Sequence, residues 1–223
     1  MMLGQKFLKK IQSSPEEGYT ILEAIIAIVV VTFLLSAMGP VIAFSVGTRV
    51  QAKRVELATQ AARSYIDAVK ADPTEPVKAN PTGQPKTTLT LSDTPVNEVA
   101  VPAGADPEQQ LYCVNFDEEA GCQVGSLVDM YVQGSACHPT STVAEDGYVL
   151  GVRVYRANSF DPDAPALTPL TDGKVDSDSI TTNALGDRSL PLIQMSTEIP
   201  PGSGSFDNFN RFIVLDTCGR PDN

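Results

Sequence analysis

Residues 24–47 contain no charged side chain, running Ala24, Ile25, Ile26, Ala27, Ile28, Val29, Val30, Val31 and onward to Gly47. As a helix this stretch spans roughly 36 Å, enough to cross a bilayer core with some tilt. The pattern then changes. Residues 48–70 lack Pro and are rich in Ala, Arg, Gln and Glu, which favour helix. Val55, Ala58, Ala62, Tyr65, Ile66 and Val69 recur at helical spacing and form one apolar stripe, which predicts packing on a sheet. Arg54 and Arg63 flank that stripe on the side of solvent or a neighbouring molecule. Asp72-Pro73 predicts the end of the helix. One helix from Tyr19 to Lys70 would be roughly 78 Å long.

Periodicity two takes over further along. Residues 72–107 hold seven prolines, Pro73, Pro76, Pro81, Pro85, Pro95, Pro102 and Pro107, and predict a loop-rich connection with one short strand at Thr87–Leu91. Better strands follow at Gln110–Phe116 and Leu127–Val132. Tyr148–Arg156 alternates Leu150, Val152 and Val154 against Val149, Arg153 and Tyr155, as a half-buried strand does. Asp146-Gly147 before it is a turn signal. Leu190–Met195 and Phe212–Leu215 complete the set. The expected class is α+β, an antiparallel sheet packed on the second half of a long helix.

The segment ahead of the apolar run carries Lys6, Lys9 and Lys10, which favours a cytoplasmic start. The far flank is also basic, with Arg49, Lys53 and Arg54, so charge alone does not set orientation. A secretory signal has an apolar region of about 7–15 residues; this run is longer, and Ala43-Phe44-Ser45 offers only a poor cleavage site. Glu23 stands at the edge of the run, where an unpaired carboxylate is costly. Gly18 precedes it in Gly18-Tyr19-Thr20-Ile21-Leu22-Glu23. A cut after Gly18 would put a new α-amino group on Tyr19, four residues from Glu23 and on the same helix face. In a bundle of such helices, Glu23 of one copy would pair with the amine of another. The bland alternative is a boundary Glu near the lipid headgroups.

This combination resembles the type IV prepilin signature, in which Gly precedes an aromatic residue or Met, then Thr, two aliphatic residues and Glu. Tyr19 stands where Phe is commoner. Pro40 falls where the family often has a helix-kinking proline, and Pro within a helix removes one backbone bond; beside Gly39 it marks a weak point. The resemblance covers residues 16–70. It implies a leader at 1–18, removed by a prepilin peptidase that also methylates the amine of Tyr19. It implies a filament-core helix at 19–47, a soluble half at 48–71 and a globular head at 72–223. Its implied partners are the membrane, other pilins or pseudopilins, an assembly ATPase and a platform protein. The implied location is the inner membrane, single-pass with a periplasmic head, then a periplasmic or cell-surface filament. The stretches 48–67 and Gly151-Val152-Arg153-Val154-Tyr155-Arg156 look like the cyanobacterial pseudopilins named for hormogonium polysaccharide secretion. That narrower likeness implies support of polysaccharide export and gliding motility.

Charge and chemistry narrow the classes. Residues 71–223 carry 8 basic and 22 acidic residues, a net of −14, which argues against nucleic-acid binding. Cys113, Cys122, Cys137 and Cys218 all lie beyond the apolar run and read as disulfides in an oxidising compartment. Of three pairings we favour Cys113–Cys122, closing a short acidic loop, and Cys137–Cys218, tying down the C-terminus; the others stay open. His138 is the only histidine. It is expected at the surface, and with neither His-Glu-x-x-His nor Gly-x-Ser-x-Gly present no enzyme is expected. A zinc site from Cys113, Cys122, Cys137 and His138 would lack the short Cys-x-x-Cys knuckle. Asn115, Asp117 and Glu119 alternate oxygens as a calcium loop does, but Ala120 stands where that loop wants Gly. Some pseudopilins bind calcium, so this loop and Asp172–Asp178 are the calcium candidates; no other cofactor is expected. Besides the filament subunit, two classes remain. One is a membrane-anchored binding module that recognises a polysaccharide or partner protein through the head's aromatics. The other is a single-pass receptor or enzyme that keeps its anchor.

Overall fold

The computed structural model describes residues 20–71, 77–78, 87–102, 107, 111–169, 186–201 and 217–218. Gly18, Tyr19, the acidic loop 172–178 and the strand expected at 212–215 lie outside the described residues. The chain divides into two compact units, Met1–Ser45 and Val46–Asn223. A single helix, α1, runs from Ile21 to Ala71 and contains Pro40.

In the first unit α1 starts at a cap. The Thr20 side-chain oxygen accepts the Glu23 N–H at 3.3 Å and the Thr20 carbonyl accepts the Ala24 N–H at 3.1 Å, which satisfies donors that a helix start leaves open. The apolar side chains that follow are exposed, with Ile21 at 82% and Phe33 at 77%. Thr32 donates its hydroxyl to the Ile28 carbonyl at 2.8 Å, so this polar group needs no outside partner. Helical structure continues through Pro40.

In the second unit the rest of α1 packs on a sheet. The strands are β1 (Val77–Lys78), β2 (Thr87–Thr88), β3 (Leu91–Ser92), β4 (Tyr112–Val114), β5 (Met130–Cys137), β6 (Tyr148–Arg156) and β7 (Ile193–Ile199). β1 and β2 form a small antiparallel pair. The main sheet has the order β3-β5-β6-β7, with β4 also on β5. Its β4–β5, β5–β6 and β6–β7 pairs are antiparallel, but β3 lies parallel to β5, so the sheet is mixed rather than wholly antiparallel. β3 and β4 share one edge of β5: β4 pairs with Met130–Val132 and β3 with Ala136–Cys137.

The helix face of the sheet alternates as the pleat requires. Met130, Val132 and Ala136 of β5, Tyr148, Leu150, Val152 and Val154 of β6, and Ile199 of β7 enclose Ala58, Ala61, Ala62, Tyr65, Ile66 and Val69 of α1. Three alanines let the helix approach closely. The expected stripe therefore meets the sheet, with Val55 only half-buried at its start.

Several strand limits move. β5 continues past Val132 to Cys137 because β6 pairs along its whole length, from Met130↔Arg156 to Cys137↔Val149. β7 begins at Ile193 and runs to Ile199, since Pro191 has no N–H for the ladder. The expectation of a half-buried β6 fails: all nine of its residues are buried. Its second face is covered by loops. A long N-terminal helix, apolar at first and packed on a sheet through its later half, is a pilin-like architecture.

Candidate functional site

Two surfaces carry the candidate residues. The first is the exposed apolar part of α1, long and apolar enough to cross a membrane. Glu23 sits in its first turn and is exposed among Ile21, Leu22, Ile25 and Ile26. No other charged residue occurs between Thr20 and Thr48. Beside Pro40, an apolar notch of about 310 Å³ is lined by Leu34, Ala37, Met38, Val41 and Ile42. These positions follow helical spacing, so one face of the segment is dented where Ala37 replaces a larger side chain.

The second surface is the sheet face turned away from α1. Arg153 of β6 lies there, only 3% exposed. Its guanidinium donates to the Val96 carbonyl at 3.2 Å, to the Asn97 carbonyl at 3.0 Å and to the Val99 carbonyl. Burial lowers the Arg153 pKa, an effect partly offset by the Tyr155 phenol beside it. Burial likewise pushes Tyr155 up to about 12 against the opposing pull of Arg153. On the helix face, burial raises Tyr65 strongly, with Tyr148 and Tyr112 adding to it. The loop that Arg153 holds is fixed again from outside, where the Val96 N–H donates to the Cys218 carbonyl at 3.1 Å.

Both disulfides belong to this covered face. Cys137 at the end of β5 is bonded to Cys218 and clusters with Val96 and Val149. Cys113 of β4 is bonded to Cys122 and clusters with Leu111, Tyr131 and Ala157. Phe160 closes this second cluster edge-on to Tyr131 at 5.4 Å and to Tyr155 at 5.9 Å. Disulfides persist in oxidising compartments, and the pair suggests an extracytoplasmic head.

The loop between Cys113 and Cys122 is built tightly. The Asn115 side-chain oxygen accepts the Asp117 N–H at 2.8 Å, and Asp117 accepts the Glu119 N–H at 3.0 Å and the Ser126 hydroxyl at 3.1 Å. The Asn115 amide donates to the Gly121 carbonyl at 2.8 Å, and Gly121 takes the positive φ of 79° that closes the turn. Asp129, fully buried behind it, accepts the Phe116 N–H at 3.0 Å and the Gln123 N–H at 3.1 Å. The calcium candidates Asn115 and Asp117 thus direct their oxygens into the loop's own frame. Among the described residues no cluster of three or more His, Cys, Asp or Glu gathers as a metal site.

His138 is a correction. It is buried, at 1% exposure, rather than at the surface. Its Nδ1 accepts the Thr140 N–H at 3.2 Å and the Ser141 N–H at 2.9 Å, capping the turn after β5. It follows Cys137 in the chain, and the disulfide fixes that strand end against the core. Sequence reasoning also missed Thr20, Arg153 and Asp129. Thr20 was findable as a cap residue ahead of a helix. Arg153 carried no local signal, because its partners lie in a distant loop; Asp129 serves N–H groups of the loop just before it. No family model, curated protein or solved structure matches the chain.

Proposed function

We propose that this chain is a structural subunit, a minor pilin or pseudopilin, of a type IV pilus-like or type II secretion-like filament. It enters the inner membrane through α1, loses its leader after Gly18 by prepilin peptidase, and carries a methylated amine on Tyr19. An ATPase and a platform protein then move it into the filament. The narrower reading places that filament with polysaccharide export and gliding motility. The chain has no catalytic step of its own in this account.

The observation that supports the reading is the apolar run from Ile21 to Val46, its described side chains exposed and its sequence interrupted by one charge, Glu23. A carboxylate in such surroundings is costly unless paired, and a filament of parallel helices offers it the amine of a neighbouring Tyr19. Glu23→Ala tests this in the native host. The variant is expected to be processed and retained in membranes, with its share in sheared surface filaments reduced about tenfold or more, the scale of losing a paired charge in a dry interface. Glu23→Ala entering filaments at the wild-type level would contradict the role given to Glu23.

A further inference from the structure

The solvent face of α1 in the second unit carries one continuous polar stripe. Arg49, Lys53, Glu56, Gln60, Arg63, Asp67 and Lys70 are all exposed and repeat at intervals of three and four residues, so they share one side of the helix. The buried residues Gln51, Ala58, Ala62, Tyr65 and Val69 occupy the opposite side. The stripe is roughly 32 Å long and carries four basic and two acidic side chains. Lys53 pairs with Glu56 at 3.1 Å. Arg49, Arg63 and Lys70 have no partner among the described residues. The rest of the head has the opposite sign, 8 basic and 22 acidic residues over 71–223, and two of those basic residues, Arg153 and Arg156, are buried.

An acidic element stands next to the stripe. Ser64 of α1 lines a cleft of about 310 Å³ together with Tyr112, Asn115, Asp117 and Glu119. Asp117, Glu118 and Glu119 are consecutive, and no basic residue lies between Cys113 and Cys122. The disulfide and the Asn115, Asp117 and Ser126 hydrogen bonds hold this loop in one shape. Glu118 and Glu119 are exposed and supply no side-chain bond to the loop's frame. The acidic loop therefore stands as a preformed knob across a cleft from Ser64, the neighbour of Arg63 in α1.

We infer that the stripe and the loop form an interface between copies of the chain, with the acidic loop 117–119 of one copy seated on the basic stripe of α1 in the next. The contact joins two different patches, so it is heterologous, the kind of contact that builds an open filament wherever its rotation does not close. It rests on the filament reading and adds to it the surface by which heads choose their neighbours. Charge complementarity selects this occupant over lipid headgroups. An anionic membrane would attract Arg49 and Lys53 near the apolar segment, but it would repel the acidic loop that lies against Ser64.

The test uses full-length chains in the native host. One variant, Glu118→Gln/Glu119→Gln, lacks the loop carboxylates; the other, Lys53→Arg/Lys70→Arg, lacks the stem amines. Co-expressed, they can form a Lys53 or Lys70 to Glu118 or Glu119 amide only between copies when membranes and sheared filaments are treated with a zero-length carbodiimide. The expected result is that inter-copy amide by peptide mass spectrometry. Its yield falls about tenfold between roughly 0.05 M and 0.5 M salt, because exposed charges are screened over that range. Adding Arg63→Glu to the first variant, whose stem supplies the linked lysines, lowers it similarly. No such link between copies whose leader is removed overturns the contact and leaves the filament reading intact. Stem lysines linked only to other proteins, or shielded only by anionic lipid, also overturn it. Leaders retained on both variants overturn the contact together with the filament reading.

Discussion

Gly134 and Tyr65 form one contact seen from two elements. A Cβ at Gly134 would sit 2.0 Å from the Tyr65 hydroxyl and 2.6 Å from the ring carbon that bears it, so the strand is bare where the helix lays its largest side chain across it. Tyr65 is held from the other side by Tyr112, ring centroids 5.2 Å apart. Gly134→Ala is expected to cost about 1–3 kcal/mol, the range for overpacking, measured by urea unfolding with the disulfides intact. Gly125→Ala, where an added Cβ meets nothing within 4 Å, is the control and should shift stability by less than about 0.5 kcal/mol. Equal effects at both sites would remove the packing argument. At this scale the sequence was uneven. Glu23 was legible because one charge in an apolar run is conspicuous. Gly134 was not, since its reason is a tyrosine in another element. His138 was misread because a polar residue in a Cys-His-Pro turn has no local sign that a loop will fold over it. Its two accepted N–H bonds show why it is tolerated inside.

The elements divide the work of the head between two faces. The α1 stripe covers one side of the sheet, and its spacing alone announced it. The other side is covered by the loop around Val96, the Cys113–Cys122 loop and Cys218, and both disulfides belong to clusters on that side. The bonds therefore fasten loops to a sheet that α1 has already half-covered. Chain entropy then ranks them. Cys137–Cys218 closes a separation of 81 residues and Cys113–Cys122 one of 9. Removal is expected to cost about 4.5 and about 2.6 kcal/mol respectively on the loop-closure relation. Paired Cys→Ala variants followed by denaturant unfolding check the order, and the Val96 amide, held by Cys218, should lose protection from hydrogen exchange in the Cys137→Ala/Cys218→Ala variant alone. A larger loss from the short loop would place the stabilisation in native packing instead. The buried back face explains why β6 looked half-exposed in sequence. Arg153 and Gly151 interrupt its apolar pattern, yet Arg153 serves three loop carbonyls and Gly151 lies against Val96. Alternation identified the strand and both of its ends, but not what covers its second side. The short strand expected at Thr87–Leu91 divides into β2 and β3, and the parallel placement of β3 on β5 was hidden because two residues leave no periodic trace.

As a whole the molecule pairs an exposed apolar helix segment with an acidic, disulfide-fastened head. Neither half is understandable alone. An apolar surface of this length needs lipid or other helices around it, and a head with two disulfides belongs where thiols oxidise. In the proposed function, passage from membrane to filament meets both demands and gives Glu23 its partner only in the second state. The coarse fold was legible because a long helix announces itself through composition and period. The identity of the filament in the proposed function is carried by neither. In that proposal the cut after Gly18 is the step on which the rest depends, because it would create the amine assigned to Glu23 as partner. The most direct measurement is the mass of the N-terminal peptide from membrane-purified chain, in hosts with and without prepilin peptidase. The account predicts a peptide beginning at N-methylated Tyr19 in the first host and an intact leader in the second. A leader still attached where the peptidase is active would contradict it and leave a single-pass anchored head.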